Sequence, residues 1–555
     1  MSERSDAEAI RFINEETQFH LGFLPTEQSS PLSRNLDRDF AESAEKGVRT
    51  LQSVDRNVPV MLRRVLAGPE FRKLTDALID TIGNGGKVVF SGCGATGRLS
   101  ILLEGMWRDA VERGIIPSKY KESVYSIMTG GDFALIRSVE FFEDYAGFGA
   151  RQAADLGMGK NDTLVAITEG GETSSVLGTV FEALERNCRV FLLFNNPAEL
   201  LAKHIERSRR AIEDPRVCVL DLNCGPMALA GSTRMQATTS EQFVAGAALE
   251  TAACHFIGRK APDYLTQFEK LLDELESKKT VGAIADYIRF ESEIYRKNGK
   301  ITYFADRFLL DIFTDTTERS PTFMLPPFRA FDDTVSPRPW AFVKNPVCST
   351  GQTWMRAMNR PLRCLDWTSA DLAAMGAPES VASRPPKISA ADMLKIQVGN
   401  ENPEERCSGP DDAAVLVTVC GVPSGLRQAY EACTSGFKIK RELDIAACGV
   451  ASAKTDSPLE LIAHMAVKLF LNTVSTGTMA VLGRVTGNWM SWVDCTNKKL
   501  IDRAARLISE IGGLDYRESC LRLFEAREIL QRQNAGKEKC SPVQYVLKNL
   551  RSSRK

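Results

Sequence analysis

Histidine is scarce in this 555-residue chain: His20, His204, His255 and His464 are the four present. The 14 cysteines are scattered from Cys93 to Cys540 and form no Cys-x-x-Cys pair. Both features argue against a zinc site and against a disulfide framework, and free thiols in a reducing cytoplasm are the simplest reading. Neither a metal nor a cofactor is expected. Long apolar runs are also missing. Stretches such as Leu471–Leu482 are short and broken by Asn, Thr, Ser and Gly, so no transmembrane segment is expected. Met1–Glu16 is charged and lacks an apolar core with a cleavage site, which predicts no secretory signal. A formal net charge of −1 gives no electrostatic reason for a nucleic-acid partner or an anionic membrane.

What remains is an ordinary globular composition, 43% hydrophobic and 25% charged. The length calls for about three folding units. Residues 1–45 are mostly polar and turn-rich, an extended lead-in. Apolar residues from Val58 to Ile82 fall at helical spacing. Short apolar runs then alternate with helical stretches. Lys87–Ser91, Val124–Met128, Thr163–Thr168, Arg189–Phe194 and Val217–Asp221 read as strands. Leu99–Glu112, Ala134–Gly147 and Val176–Glu185 read as helices between them. This alternation predicts an α/β fold with a parallel sheet covered on both faces. Helices follow over Thr238–Phe256, Tyr264–Lys278 and Ala283–Lys297. A looser second α/β unit then carries strands at Lys300–Ala305, Trp340–Val343, Ala414–Cys420 and Phe437–Leu443. Within it Ser383–Asp412 is expected to be an exposed loop. From Leu459 onward the pattern is helical.

Three segments could carry chemistry. Ser91-Gly92-Cys93-Gly94-Ala95-Thr96-Gly97-Arg98 joins a strand to a helix. Glycines allow close backbone approach, and a helix N-terminus offers free N–H groups to an anion. The loop lacks the Gly-Lys-Ser/Thr of a nucleotide-binding P-loop, and no acidic residue ends the second strand to hold a ribose. Thr168-Glu169-Gly170-Gly171-Glu172-Thr173-Ser174-Ser175 repeats the same logic after the third strand. Two such loops at the carboxyl ends of neighbouring parallel strands form a crevice for a ligand. Helix capping by Thr173 or Ser174 is the plainer alternative. The third segment, Gly225–Met235, brings Ser232, Thr233 and Arg234 to the start of a helix.

Gly92–Leu99, Thr129-Gly130-Gly131-Asp132, Glu140 with Glu143-Asp144, and Gly225–Met235 together resemble the N-acetylmuramic acid 6-phosphate etherases. Leu471–Gly477, Gly487-Asn488-Trp489-Met490 and Thr496-Asn497-Lys498-Lys499-Leu500 extend the likeness. The separation of Met235 from Leu471 by a second α/β unit is similar to the glucokinase regulatory protein family, which has two sugar isomerase (SIS) domains and a helical cap. The resemblance implies a lead-in over 1–50, a first SIS domain over 51–262, a diverged second over 263–456 and a helical cap over 457–555. It places a sugar phosphate on Gly94, Thr96, Gly97, Thr168, Glu172, Thr173 and Ser174, with Ser232, Arg234 and the cap's Arg484 as further partners. Glu172 beside a phosphate would be repulsive and fits sugar hydroxyls or an ammonium group better. Etherase chemistry needs two acid/base glutamates. Glu140 matches one, and the other falls at Met106, which cannot transfer a proton. Glu104 lies two positions away on the helix, a rotation of ~200°. The resemblance therefore implies a sugar-phosphate sensor with a sugar kinase as partner, or alternatively a lactate-releasing lyase. It implies a cytoplasmic monomer whose two SIS domains act as an internal pseudo-dimer. In the second unit, Thr314–Ser320 reads as an acid-rich loop or degenerate site.

Overall fold

The computed structural model describes residues 3–139, 141–533 and 540–553. Among these described residues, nine strands form two separate parallel sheets. The first contains β1 (Val88–Gly92), β2 (Val124–Met128), β3 (Thr163–Ile167), β4 (Arg189–Phe194) and β5 (Val217–Asp221), in the order β2-β1-β3-β4-β5. The second contains β6 (Ile301–Phe304), β7 (Ala341–Lys344), β8 (Ala413–Thr418) and β9 (Ile439–Asp444), in the order β7-β6-β8-β9. Each sheet is built the same way. The chain pairs its second strand on one side of the first, then crosses to pair the third on the other side. The strands β1 and β3 are buried along their whole length, as near-continuous apolar runs require when both faces are covered.

One hydrophobic cluster spans both units, running from Ala9 through Phe90 and Phe313 to Leu547. The other face of each sheet has a cluster of its own, around Val89, Leu164 and Leu192 in the first and Phe304, Ala414 and Leu416 in the second. The helix Leu461–Val481 lies inside the shared cluster with nearly every residue buried, packed against helices of both units. Polar groups stitch the same boundary. Glu104, on the helix Ala95–Glu112, is fully buried. It accepts from Arg108 at 2.8 Å and from Arg363 at 2.8 and 2.9 Å, and its Oε2 lies 3.0 Å from the Arg360 guanidinium. The Ser126 hydroxyl donates to it at 2.6 Å. Arg360 also binds Asp132 through two bonds of 2.6 and 2.9 Å, and Arg108 holds Glu122 in a bidentate pair. Three carboxylates thus balance three guanidiniums, and two of those guanidiniums come from the chain after β7.

Several expectations change. Ala134–Gly147 is not one helix: a short turn of helix, Phe133–Ile136, gives way to a 3-10 turn at Phe142–Asp144, and the next helix is Ala146–Asp155. Tertiary packing overrides the periodicity there. Phe142 stacks on Trp367 of the second unit and Phe148 meets the same ring edge-on, and Asp132 N–H donates to the Arg363 carbonyl. Ser383–Asp412 is not simply an exposed loop. It carries the helix Ala390–Leu394 and buries Met393, Val398 and Arg406, the last donating to Thr302 at 3.1 Å. Thr314–Ser320 is no loop. It lies inside the helix Leu309–Phe323, where the Thr314, Thr316 and Thr317 hydroxyls donate to carbonyls four residues back. The lead-in also contains helices, Glu3–Glu15 and Leu36–Glu42, and a buried Glu27.

Removing the buried Glu104 carboxylate leaves the guanidiniums of Arg108 and Arg360 short of a buried partner, a cost of about 3–5 kcal/mol. Glu104→Gln is therefore expected to lower unfolding stability by that amount in denaturant titration. Glu122→Gln, at a side chain 63% exposed, should cost no more than about 1 kcal/mol.

Candidate functional site

The carboxyl ends of the adjacent strands β1 and β3 lie side by side at the point where the strand order of the first sheet reverses. The loop after β1 turns at Gly94, whose φ of 57° and ψ of −122° are open only to glycine. Gly92 is needed for contact: a Cβ there would lie 2.3 Å from the Thr96 carbonyl carbon. The Thr96 hydroxyl locks the turn, accepting from Cys93 N–H at 3.0 Å and donating to the Cys93 carbonyl at 2.9 Å. The helix Ala95–Glu112 then starts without a side-chain cap, and Gly97 lies in its first turn. After β3, the Thr168 and Thr173 hydroxyls bond each other at 3.0 Å, and the helix Ser174–Glu185 also starts without a side-chain cap. The capping alternative is thus not realised by Thr173. Both helices leave first-turn N–H groups free for water or an anion.

Carboxylates crowd this crevice. Glu172 is buried and accepts from Arg207 at 2.7 Å. Burial pushes its carboxyl up, but Lys499 and Arg207 overcome this and hold it below the usual carboxylate range. Lys499 stands in the first turn of the helix Lys498–Gly512, with its Nζ 3.6 Å from Glu172 and 4.0 Å from Glu143. Burial pulls its ammonium down, but Glu143 and Glu172 outweigh this and hold it above the usual lysine range. Burial, aided by the Glu143 charge, pushes Asp144 up to about 7. Burial likewise pushes Glu169 up to about 7, against the pull of Lys499. Cys93 is pushed up to about 12 by burial and by Glu143, so its thiol is protonated and no nucleophile.

The helix that carries Lys499 is fixed from the N-terminal segment. Its Arg503 and Arg506 grip buried Glu27 at 2.6 and 2.7 Å, and burial notwithstanding, these two cations hold Glu27 down at about 2. The side chain of Asn497 caps the helix through Leu500 N–H at 2.8 Å.

Gly94, Thr96, Gly97, Thr168, Glu172, Thr173 and Ser174 all fall on the two loops. Ser232 is buried, with its N–H donating to the Leu229 carbonyl, and its sequence neighbour Thr233 reaches Glu169. Arg234 points elsewhere. It lies behind the first loop and donates to Ser475 at 2.7 Å and Thr476 at 2.8 Å, beside Asp315 of the second unit. Arg484 is not brought to the crevice either: it donates to the Phe323 carbonyl at 2.9 Å and stacks between Trp340 and Trp492. Glu104 is consumed by the arginine knot, and Met106 is buried against the second unit. Glu140 lies outside the described residues. Lys499, Glu169 and Asp144 were not foreseen as site residues, although the Glu143-Asp144 pair and the Lys498-Lys499 run were visible in the sequence.

The profile of the glucokinase regulatory protein N-terminal SIS domain matches residues 70–184, the stretch that builds both loops. The N-acetylmuramic acid 6-phosphate etherase of Glaesserella parasuis is 30% identical over 239 residues, covering 43% of this chain and 71% of that protein. That of Aeromonas hydrophila is 30% identical over 224 residues, covering 40% and 68%. The chain belongs to the SIS family of these etherases and the glucokinase regulatory protein. An etherase of Bacillus licheniformis is 27% identical over 259 residues, 47% of this SIS chain and 78% of that protein. Among solved structures, tagatose-6-phosphate ketose/aldose isomerase from Escherichia coli aligns with a TM-score of 0.44 at 8% identity, over 81% of this chain and 96% of that one. Among the described residues, no helix is long and apolar enough to cross a membrane.

Two carboxyls raised to about 7 make the SIS crevice pH-sensitive. The folded state binds these protons more tightly than the unfolded chain, whose carboxyls titrate near ~4. Their contribution to stability is therefore lost as pH rises from about 4 through 7. Asp144→Asn with Glu169→Gln is expected to raise the melting temperature by roughly 2–6 °C at pH 8, with no gain near pH 4.5. Thermal unfolding at the two pH values checks this.

Proposed function

We propose that the chain is a sugar-phosphate-binding SIS protein whose first crevice senses a phosphorylated hexose or amino sugar. The observation that carries this reading is the convergence of two uncapped helix N-termini and the Lys499 ammonium on one crevice. Helix N-terminal amides favour an anion, and a charged lysine adds a point charge for a phosphate. The surrounding carboxylates suit the remainder of such a ligand, because Glu143, Asp144 and Glu169 can accept from sugar hydroxyls or an amino group. Lys499 is held by Glu143 and Glu172 only at 4.0 and 3.6 Å. A phosphate would compete for it, and the helix Lys498–Gly512 would report the exchange to the C-terminal helices. That supplies a route from ligand to surface, and a sugar kinase is the partner proposed for it. Two SIS sheets sharing one hydrophobic cluster support a monomer.

A lyase that releases lactate is the second reading. The etherase relatives favour it, and so do Asp144 and Glu169, whose near-neutral carboxyls suit general acid and base work. Met106 and the engaged Glu104 weigh against it.

Incubation with N-acetylmuramic acid 6-phosphate, with lactate and melting temperature followed together, separates the two. Sensing predicts a ligand-dependent rise in melting temperature without lactate, and Lys499→Ala should weaken binding by roughly tenfold. Lactate release abolished by Glu169→Gln would establish the lyase instead. If fructose and glucosamine phosphates also leave the melting temperature unchanged, the crevice is no phosphate site.

A further inference from the structure

The strand order of the second sheet repeats that of the first, with β6 and β8 in the places of β1 and β3. Three segments converge on the first crevice: the loop after β1, the loop after β3, and the segment leading into the helix Gln236–Phe256. The same three positions exist in the second unit. They are the loop after β6 at Asp306-Arg307-Phe308, the loop after β8 from Val419 to Pro423, and the segment leading into Leu461–Val481. All three line one cavity of about 380 Å³. Small-molecule sites typically enclose ~300–1,000 Å³, and in open parallel sheets they lie at this switch point. The cavity does not depend on the function proposed for the first crevice.

Its walls specify a chemistry. Ile312, Val417, Leu426 and Val467 form an apolar floor. Lys454 stands exposed at the rim, with no acidic partner within salt-bridge distance among the described residues. The helix Ser424–Cys433 begins beside it without a side-chain cap, leaving amide donors open. The other cation, Arg307, is engaged by Glu460 at 2.6 Å, a carboxylate that also takes Arg113 at 2.9 Å. Asp306 and Asp456 also line the cavity. Among the described residues Lys454 is thus the lining cation without a salt-bridge partner, set among three lining carboxylates, Asp306, Asp456 and Glu460, which does not suit a ligand with several anionic groups. The lining fits a ligand with a single anionic group, hydroxyls to donate to the carboxylates, and C–H surface for the floor.

We propose that this cavity is a second ligand site, for a small polyhydroxylated molecule carrying one anionic group, such as a sugar monophosphate. The anion sits on Lys454 and the open amides of the helix Ser424–Cys433. A hydroxyl donates to Asp306, and the carbon face lies on the apolar floor.

A reporter stands in the wall. Cys420 lines the cavity and is the one exposed cysteine among the described residues. The full-length protein is labelled with a maleimide, and the Cys420 peptide is quantified by mass spectrometry. The probes are glucose 6-phosphate, N-acetylglucosamine 6-phosphate and inorganic phosphate, and each variant is compared with and without probe. At least one sugar phosphate is expected to slow Cys420 labelling by about fivefold or more. That protection should persist in Lys499→Glu, which disables the first crevice, and disappear in Lys454→Glu. Labelling unchanged by all three probes at ~10 mM, a concentration that would saturate even sub-millimolar binding, overturns the proposal. So does protection that is lost in Lys499→Glu and kept in Lys454→Glu, which would trace it to the first crevice. Lys454 is exposed, so its replacement leaves the fold intact.

Discussion

The constraint on which the structure most depends is the charge seam between its two α/β units. Along the helix Ala95–Glu112, Arg98 pairs with Glu318 and donates to Thr317, while Glu104 takes Arg360 and Arg363. Behind it Arg234 lies against Asp315, which also binds Arg319, and Arg319 binds Glu291 at 2.5 Å. All of these groups are buried or nearly so except Arg363, whose side chain is 30% exposed. Buried ion pairs add little net stability compared with apolar packing, but losing one partner is costly. Their effect is to permit one arrangement of the units and penalise every other.

That arrangement sets the site. The helix locked by the seam is the one whose N-terminus forms the first ligand loop. On the opposite side of the crevice, Glu27 clamps the helix that presents Lys499. The crevice is therefore assembled from segments some 470 residues apart in sequence, Glu27 and Arg503 being one such pair. Its carboxylates are buried near one another around Lys499, which is why two of them are pushed up to about 7 and the lysine stays protonated.

The strands, the parallel sheets and both glycine loops were legible because each is a local pattern: an apolar run, a Gly cluster, a hydroxyl before a helix. The failures share a cause. Phe133–Asp155 breaks where Trp367 packs against it, and Thr314–Arg319 can be a buried helix because its hydroxyls are satisfied by carbonyls four residues back and its acids find arginines. Met393 and Arg406 look like loop residues until β6 and the chain before β7 are placed beside them. Lys499 could not be distinguished from Lys498 or Arg484 by type, and only the Glu27 clamp points it at the crevice. The four-strand order of the second sheet was likewise not visible in weak internal similarity.

The central claim is that the seam makes the two units one cooperative body. Native-state hydrogen exchange across β1 and β6 tests it most directly, because buried strands exchange through the largest opening available to them. The account predicts that amides of Val88–Gly92 and Ile301–Phe304 exchange with the same free energy, equal to that of global unfolding, and that both fall together in Glu104→Gln. Exchange of Ile301–Phe304 at a distinctly lower free energy, with Val88–Gly92 unchanged, would show that the second unit opens by itself and contradict the claim.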